Sequence, residues 1–187
     1  MAMTYLSVRT LGDTMALIFE PVETDEQIIG LSQIADEIWH EYWPALIGDA
    51  QTDYMVEQFQ SEDAIKRDMA EHGYEYWILI DEDSEEVVGY TGGHEEPETN
   101  RYFISKIYLF EPQRGKGYAR QVVDFYNDLC SERNLKAMYL TVNKHNDLGV
   151  RAYKGTGFEV IDAVETDIGK GFIMDDFIME RKTVSAE

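Results

Sequence analysis

The spacing of hydrophobic and polar residues along this chain changes between a helical and a strand-like period, and these changes predict its elements. The clearest helix follows Thr24-Asp25-Glu26-Gln27, which has the form of a capping box. Six hydrophobic positions then recur at intervals of three and four residues, the spacing of one buried helix face: Leu31, Ile34, Ala35, Ile38, Trp39 and Tyr42. Trp43-Pro44 ends this helix, because proline cannot continue its hydrogen-bonded ladder.

Runs rich in β-branched and aromatic residues predict strands between the helices. Seven strands are predicted, at residues 16–19, 75–80, 87–91, 102–110, 137–142, 158–163 and 172–180. Four further helices are predicted, at residues 52–59, 62–71, 116–133 and 147–154. Two charged segments, 81–86 and 94–100, are predicted to be a hairpin turn and a polar loop. This order of elements predicts an α/β fold with a mixed, mostly antiparallel central sheet flanked by helices.

The length and composition of the chain favour a single domain with a proper core. It has 187 residues, of which 44% are hydrophobic. We expect one domain over residues 15–182, a loosely ordered arm over 1–14 and a short tail over 183–187. No apolar run approaches the roughly 20 residues that span a bilayer. The start of the chain lacks the pattern of a signal peptide, so we expect a cytoplasmic protein without a membrane partner.

The chain is strongly acidic, since 37 Asp and Glu residues against 16 Lys and Arg give a formal net charge of -21. Nucleic-acid binding requires clustered basic residues, and no nucleic-acid partner is expected. The same charge attracts cations such as a protonated amine, although acidic surfaces also simply keep proteins soluble. The acidic run 81–86 lacks the spacing and the glycine of a calcium loop, so no metal site is predicted. Cys130 is expected to be a buried, unreactive helix residue.

One segment departs from this acidic character. A predicted strand runs into a turn that contains Gly115 and Gly117, and a helix begins there. Unpaired N–H groups at a helix start bind phosphate, and glycines allow it to approach the main chain closely. Arg114, Lys116 and Arg120 add positive charge. The segment therefore predicts a phosphate-binding loop; the alternative is a glycine turn before a basic, exposed helical turn.

The glycine spacing of this loop excludes two common phosphate-binding motifs. No glycine is followed after four residues by Gly-Lys-Ser/Thr, and Arg120 stands where a dinucleotide fingerprint needs its third glycine. The run Gln113-Arg114-Gly115-Lys116-Gly117-Tyr118-Ala119 instead resembles the coenzyme A loop of the GNAT family of N-acetyltransferases, whose pattern is Gln/Arg-x-x-Gly-x-Gly/Ala.

A second block downstream strengthens the resemblance. Asn146 and Tyr153 fit the family's Asn-x-x-Ala-x-x-x-Tyr pattern, with Gly149 in place of the alanine, and Gly157-Phe158 follows as in the family. The two blocks occur in the family's order and cover about residues 102–160. Glycine at 149 costs the helix about 0.5–1 kcal/mol relative to alanine but touches no reacting group.

The resemblance implies a GNAT-type acyl-CoA N-acyltransferase fold and acetyl-CoA as co-substrate. The residues that it places around the coenzyme pyrophosphate are Arg114, Gly115, Lys116, Gly117, Tyr118, Ala119 and Arg120. Main-chain groups of Ile107, Tyr108 and Leu109 are implied to hold the pantetheine arm and the thioester carbonyl. Asn146 is implied to bond the coenzyme, although it is equally suited to cap the helix that begins at Asp147.

Tyr153 is the general acid that the resemblance implies, because a phenol is protonated at neutral pH and can donate to a departing thiolate. Judged without the resemblance, it is an aromatic core residue. Lys106 stands where several relatives carry a carboxylate, and it could act as a base only if burial lowered its pKa strongly. The general base stays open among a water chain and four residues: His94, Glu95, Glu96 and Glu111.

The function that the resemblance implies is transfer of an acetyl group to a primary amine of a small molecule, by direct attack on the thioester. It places Tyr42, Trp43 and the Glu95 region near the acceptor, while Trp39 is more simply a core residue. Residues 167–180 resemble the closing hairpin of bacterial members that acetylate polyamines; the alternative is a hairpin that only completes the sheet.

Two other hypotheses stay open: a protein N-acetyltransferase, and a non-catalytic module that senses acetyl-CoA or a polyamine. A homodimer is expected from the resemblance alone.

Overall fold

A computed structural model describes residues 16–184, so the predicted arm over 1–14 and the last residues of the tail lie outside the described part. The strands are β1 (Leu17–Pro21), β2 (Glu75–Asp81), β3 (Val87–Glu96), β4 (Arg101–Leu109), β5 (Ala137–Asn143), β6 (Glu159–Gly169) and β7 (Phe172–Lys182). The helices are α1 (Asp25–Tyr42), α2 (Pro44–Ile47), α3 (Asp49–Phe59), α4 (Glu62–His72), α5 (Tyr118–Glu132) and α6 (Asp147–Gly155). A 3₁₀ turn spans Glu111–Gln113.

The seven strands form one sheet in the order β1-β2-β3-β4-β5-β7-β6. β1 with β2, β2 with β3, β5 with β7 and β6 with β7 pair antiparallel, whereas β4 and β5 run parallel. The expected α/β fold with a mixed, mostly antiparallel sheet is confirmed. The register of β4 with β5 matches Arg101–Phe103 to Ala137–Tyr139, so residues 107–109 of β4 lie beyond these pairs.

One compact unit contains the described residues up to Gly93 together with Lys106–Val122. Its core consists of nine buried side chains from α1, α4, β2, β3 and the segment after β1: Val22, Ile28, Leu31, Ala35, Ile38, Ile65, Tyr76, Ile78 and Tyr90. The predicted capping box starts α1, because the Thr24 hydroxyl accepts from the Gln27 N–H and the Gln27 side chain accepts from the Thr24 N–H. Ser61 caps α4 as predicted.

The second compact unit contains His94–Ser105 and the described residues from Val123 onward. Its buried residues come from β4, α5, β5 and β7, among them Tyr102, Ile104, Val123, Tyr126, Met138, Leu140 and Met179. Cys130 is fully buried on α5 as expected, and burial raises the pKa of its thiol to about 11, which keeps it protonated and unreactive. The predicted link Gly169-Lys170-Gly171 joins β6 to β7.

Several boundaries differ from the sequence-based expectation. The loop predicted over residues 94–100 is wrong at its start, because β3 continues through Glu96 and only the residues after it form a turn. The short helix α2 was not predicted; it begins at Pro44, whose fixed φ suits a first helical position. The helix predicted from Lys116 begins at Tyr118, since Gly117 has a φ of 89°, which no α-helix accommodates.

Candidate functional site

The predicted phosphate-binding loop connects β4 to α5 and presents exposed main chain. After β4 the chain forms the 3₁₀ turn, passes Gly115 and Gly117, and enters α5 at Tyr118. Both glycines have positive φ, 78° and 89°, a conformation that other residues rarely adopt. Both are exposed, as are Lys116 and Arg120. The loop therefore ends in the N-terminus of a 15-residue helix whose dipole and first N–H groups favour an anion.

The basic side chains of the loop differ in what they contact. Lys116 donates to the Gln113 side chain at 2.8 Å on the exposed surface. The Arg114 guanidinium turns towards α1 instead: its Nε donates to the Leu109 carbonyl at 3.1 Å and its carbon lies 4.5 Å from the centre of the Tyr42 ring. Glu41 lies 3.5 Å from the same guanidinium. Arg114 thus joins the end of β4 to the end of α1.

An aromatic cluster lies where these two elements meet. Trp39 stacks on Trp43 at a centroid distance of 5.1 Å, and Tyr42 meets Trp43 edge to face at 5.4 Å. Tyr108 of β4 lies 5.3 Å from Trp39 and 5.2 Å from Tyr90. Trp39 is 2% exposed, which confirms its interpretation as core. The Trp43 indole nitrogen is buried and has no hydrogen-bond partner among the residues described, so this cluster retains one unused donor.

Lys106 is buried on β4, at only 4% exposure, against two tyrosine rings. Its Nζ lies 5.1 Å from the centre of Tyr74 and 5.4 Å from that of Tyr76. Gly92, the register partner of Tyr76, makes room for this arrangement, because a Cβ at Gly92 would lie 2.6 Å from the Tyr76 ring. Burial lowers the pKa of Lys106 to about 8, against an opposing effect of Asp68. This lysine meets the condition that sequence reasoning set for a base at that position.

Two of the four side chains considered as the base form strong contacts elsewhere in the second unit. Glu95 accepts from Arg133 at 2.7 Å. Glu96 accepts from the Tyr139 hydroxyl and from Thr99, and pairs with Arg101 at 3.4 Å. Burial favours the neutral acid of Glu96, but these contacts outweigh it and hold the pKa of that carboxyl below its usual value.

The remaining two candidate bases are His94, whose Nδ1 lies 3.0 Å from the Glu95 carbonyl oxygen, and Glu111. The His94 ring contacts Phe103 edge to face at 5.6 Å. Glu111 is exposed at the start of the 3₁₀ turn, where its main-chain N–H donates to Glu41 at 3.1 Å. Among residues 16–184 no group of three or more His, Cys, Asp or Glu residues could hold a metal ion.

Helix α6 carries the predicted acid and the predicted amide ligand. Tyr153 is partly buried, and its ring meets Phe158 edge to face at 6.0 Å. Asn146 is the N-cap of α6, since its side-chain oxygen accepts from the Gly149 N–H at 2.9 Å. A Cβ at position 149 would lie 2.8 Å from the Asn146 amide nitrogen, so an alanine there would require the Asn146 side chain to shift. The capping role is therefore present, and the coenzyme role of Asn146 stays a prediction.

The last hairpin contains a feature that sequence reasoning missed. Asp176 on β7 is 4% exposed, and burial raises the pKa of its carboxyl to about 6, with the neighbouring Asp175 adding to the rise. Lys144 pairs with Asp175 and lies 5.8 Å from the Phe177 ring. The alternation of side chains along a strand could have suggested that Asp176 is buried. Asp176 directly follows Asp175, so the two side chains must face opposite sides of the sheet.

Replacing Gly115 with alanine tests the loop directly. No atom lies within 4 Å of the Cβ that alanine would add, so the change acts through backbone strain at φ 78°, about 1–2 kcal/mol. We expect the loop to relax and coenzyme A to bind about tenfold more weakly in calorimetry. Gly73→Ala is the matched control, since Gly73 also has open space and a φ of 67° but ends α4. An equal loss of affinity in both variants would contradict the assignment.

An Asn146→Asp variant separates the two roles of this residue. Aspartate keeps the oxygen that caps α6, and caps helices about as well as asparagine, but it removes the amide donor. If that amide bonds the coenzyme, KM for acetyl-CoA should rise about tenfold, the loss expected for one hydrogen bond. The melting temperature should stay close to that of the wild type. An unchanged KM would leave Asn146 with the capping role alone.

The geometry defines a class of protein before any comparison: a mixed α/β fold in which a glycine loop after a central strand opens the N-terminus of a helix to an anion. The family described as "Acetyltransferase (GNAT) family" matches residues 32–158, more than half of the chain. The chain belongs to the GNAT acetyltransferase family. No helix within residues 16–184 is long and apolar enough to cross a membrane.

Individual relatives agree with the family. The chain is 35% identical over 81 residues to a protein of Bacillus subtilis (strain 168) described as "Uncharacterized N-acetyltransferase YycN". That match covers 42% of this chain and 52% of the relative, so the chain spans about half the length of the curated relative it matches.

Solved structures share the fold at low sequence identity. The PaiA N-acetyltransferase of Thermoplasma acidophilum, in complex with coenzyme A, is 18% identical with a TM-score of 0.70, over 88% of this chain and 98% of that one. The spermidine/spermine N-acetyltransferase SpeG of Vibrio cholerae, in E33Q and E41Q mutant forms, is 17% identical with a TM-score of 0.64, over 89% and 94%. At such identities the likeness concerns the fold alone.

Proposed function

We propose that this protein is an acetyl-CoA-dependent N-acetyltransferase that transfers an acetyl group to a primary amine of a small molecule. The observation that carries the proposal is the exposed loop with positive φ at Gly115 and Gly117, which leads into the N-terminus of α5 at the position of the family's coenzyme motif. The fold is shared with a PaiA N-acetyltransferase that holds coenzyme A. An anionic diphosphate is the ligand that such a helix start favours.

Different residues would bind the coenzyme and transfer the proton. Main-chain amides from residue 115 to residue 119 would hold the coenzyme diphosphate, with the Lys116 and Arg120 side chains adding exposed positive charge. Main-chain groups of residues 107–109 would hold the pantetheine arm and polarise the thioester carbonyl. The neutral acceptor amine would attack that carbonyl directly, the carbon–sulfur bond would break, and Tyr153 would give the thiolate its proton. The proton that the new amide nitrogen loses would return through water to the Tyr153 oxygen, which restores the phenol.

A cationic small amine, with polyamines first among the candidates, is the acceptor that we propose. Three rings of the aromatic cluster, Tyr42, Trp43 and Tyr108, are partly exposed, and aromatic rings attract ammonium groups. Arg114 already lies over the Tyr42 ring and beside Glu41, so this corner of the protein binds a cationic side chain of its own. The formal net charge of -21 would steer polycations towards the protein. SpeG of Vibrio cholerae, which shares the fold, is a spermidine/spermine N-acetyltransferase. We further propose that the protein is cytoplasmic and forms a homodimer. Oligomers occur among proteins of this fold, since one structure of spermidine N-acetyltransferase from Vibrio cholerae is dodecameric.

A panel of amines with acetyl-CoA tests the proposal. Thiol release and the mass of the product should identify spermidine, spermine or a diamine as an acceptor, while a lysine-containing peptide should react far more slowly. A faster reaction with the peptide would favour a protein N-acetyltransferase instead. Binding of acetyl-CoA without thiol release from any amine would favour a sensing module. The rate for a polyamine should fall as ionic strength rises, because salt screens the steering charges.

A further inference from the structure

The first turn of α5 is held to the sheet by two buried polar side chains. Tyr118, 1% exposed, donates its hydroxyl to Asp81 Oδ2 at 2.6 Å. Gln121, 5% exposed, accepts the Leu17 main-chain N–H at 3.0 Å through its Oε1. The two residues are three positions apart on the helix, so their side chains lie on one face. This face belongs to the same turn whose N–H groups open towards the phosphate-binding loop.

The two partners on the sheet are also neighbours. Leu17 and Asp81 face each other as a register pair where β1 meets β2. Asp81 is itself held in place, because its Oδ1 accepts the main-chain N–H groups of Ser84 at 2.8 Å and Asp83 at 3.2 Å. A single cross-strand pair therefore anchors one face of the helix start through two hydrogen bonds.

Hydrophobic packing alone would not fix this turn as closely. Burial of apolar surface is non-directional and allows a helix to slide or rotate at small cost. A buried carboxylate and amide are expensive unless every group is bonded, so they accept few geometries. The short bond to Asp81 and the bond to Leu17 together determine the depth and the rotation of the helix start. Polar groups at these positions serve orientation more than stability.

We infer that Tyr118 and Asp81, assisted by Gln121, are positioning residues that hold the main-chain amides of the loop where they bind the coenzyme diphosphate. The inference rests on the proposed function. The Tyr118 hydroxyl bonds to Asp81 of β2, so both side chains act through the position of the helix. The Tyr118 main chain could still bind the diphosphate, which keeps the family-based prediction for this residue open.

Tyr118→Phe is the test, because it removes the hydroxyl and keeps the ring. Calorimetry should show coenzyme A binding about tenfold more weakly. This is the loss expected when the residues that support a binding site no longer hold its main-chain amides in position. KM for acetyl-CoA should rise by a similar factor, while kcat at saturating acetyl-CoA and KM for the amine should stay within about twofold. Gln121→Met, which removes the other hydrogen bond, should also weaken coenzyme A binding. It replaces Tyr118→Phe as the test if that variant does not fold.

Two controls separate positioning from stability. Val123→Ala removes buried volume from the same helix and should lower the melting temperature without changing the dissociation constant of coenzyme A. Asp81→Asn added to Tyr118→Phe should weaken binding little further, since both changes break the same contact. A Tyr118→Phe protein that melts lower but binds coenzyme A as tightly as the wild type would overturn the inference. A wild-type protein that binds no coenzyme A would instead overturn the proposed function.

Discussion

Tyr153→Phe should lower the turnover number about a hundredfold and leave coenzyme binding unchanged. A general acid in this position contributes roughly 10²–10⁴ to a rate by donating a proton in the transition state. The phenyl ring of the variant keeps the edge-to-face contact with Phe158, so α6 should remain folded. Because the lost interaction forms only in the transition state, kcat should fall while KM for acetyl-CoA stays constant. Stopped-flow or steady-state thiol release measures both.

The control for this prediction is Tyr54→Phe, which removes a hydroxyl from α3. It should retain nearly full turnover. Calorimetry with coenzyme A on both variants shows that the coenzyme site is intact. If the Tyr153→Phe protein is folded, binds coenzyme A and turns over within a factor of two of the wild type, Tyr153 is an aromatic core residue and not the acid.

Lys106→Met should stabilise the protein at neutral pH by about 2 kcal/mol. The lysine is buried, and a pKa lowered to about 8 means that the folded state holds its ammonium less well than water does. Methionine fills a similar volume without the charge, and replacing a buried charge by an apolar side chain of similar size is often stabilising. Chemical denaturation at pH 7 should show the gain as a higher midpoint with an unchanged m-value.

The stability difference between this variant and the wild type should depend on pH in a defined direction. Below about pH 8 the lysine is protonated in both the folded and the unfolded wild type, so the difference in unfolding free energy between the two proteins is constant. Between about pH 8 and the unfolded lysine pKa near 10.4, the unfolded wild type binds more protons than the folded wild type. The wild type therefore becomes more stable as the pH rises, and its difference in unfolding free energy from the variant decreases. Taking the difference cancels other groups that titrate there, such as Cys130.

Lys136→Met provides the matched control for the pH series, since Lys136 is exposed. Its effect on stability should be within about 0.5 kcal/mol, as is usual for an exposed substitution. A Lys106→Met protein that is less stable than the wild type at pH 7 would mean that the contacts with Tyr74 and Tyr76 outweigh the cost of burial. In that case the lysine is a favourable structural cation and its pKa lies near the ordinary value.

Local patterns explain how much of the candidate site the sequence could predict. Gly115 and Gly117 were identified because only a few phosphate-binding loops use that spacing, and their positive φ agrees with the identification. The capping role of Asn146 was recognised as one of two alternatives from its place before a helix. The inward turn of Arg114 towards Glu41 was not predicted, because the two residues lie 73 positions apart and no local pattern connects them.

The state of Lys106 shows the same limit. The sequence showed a lysine on a strand, but its pKa depends on burial, against the rings of Tyr74 and Tyr76, and on the opposing effect of Asp68. These residues come from a distant part of the chain. The predicted loop over 94–100 was wrong at its start for a related reason. Glu95 and Glu96 lie in β3 and pair with Arg133 and Arg101, contacts that charge along the chain alone does not reveal.

The sequence by itself determined the order of the seven strands and of the helices other than α2, the mixed sheet and the glycine loop before α5, since these depend on periodicity and on the conformations that glycine and proline allow. Tertiary structure alone decided which polar groups are buried and what they contact: Tyr118 on Asp81, Arg114 on Glu41 and Lys106 beside two tyrosine rings. Burial and pairing are properties of residues brought together from distant positions, and both the pKa of a side chain and the orientation of a helix depend on them.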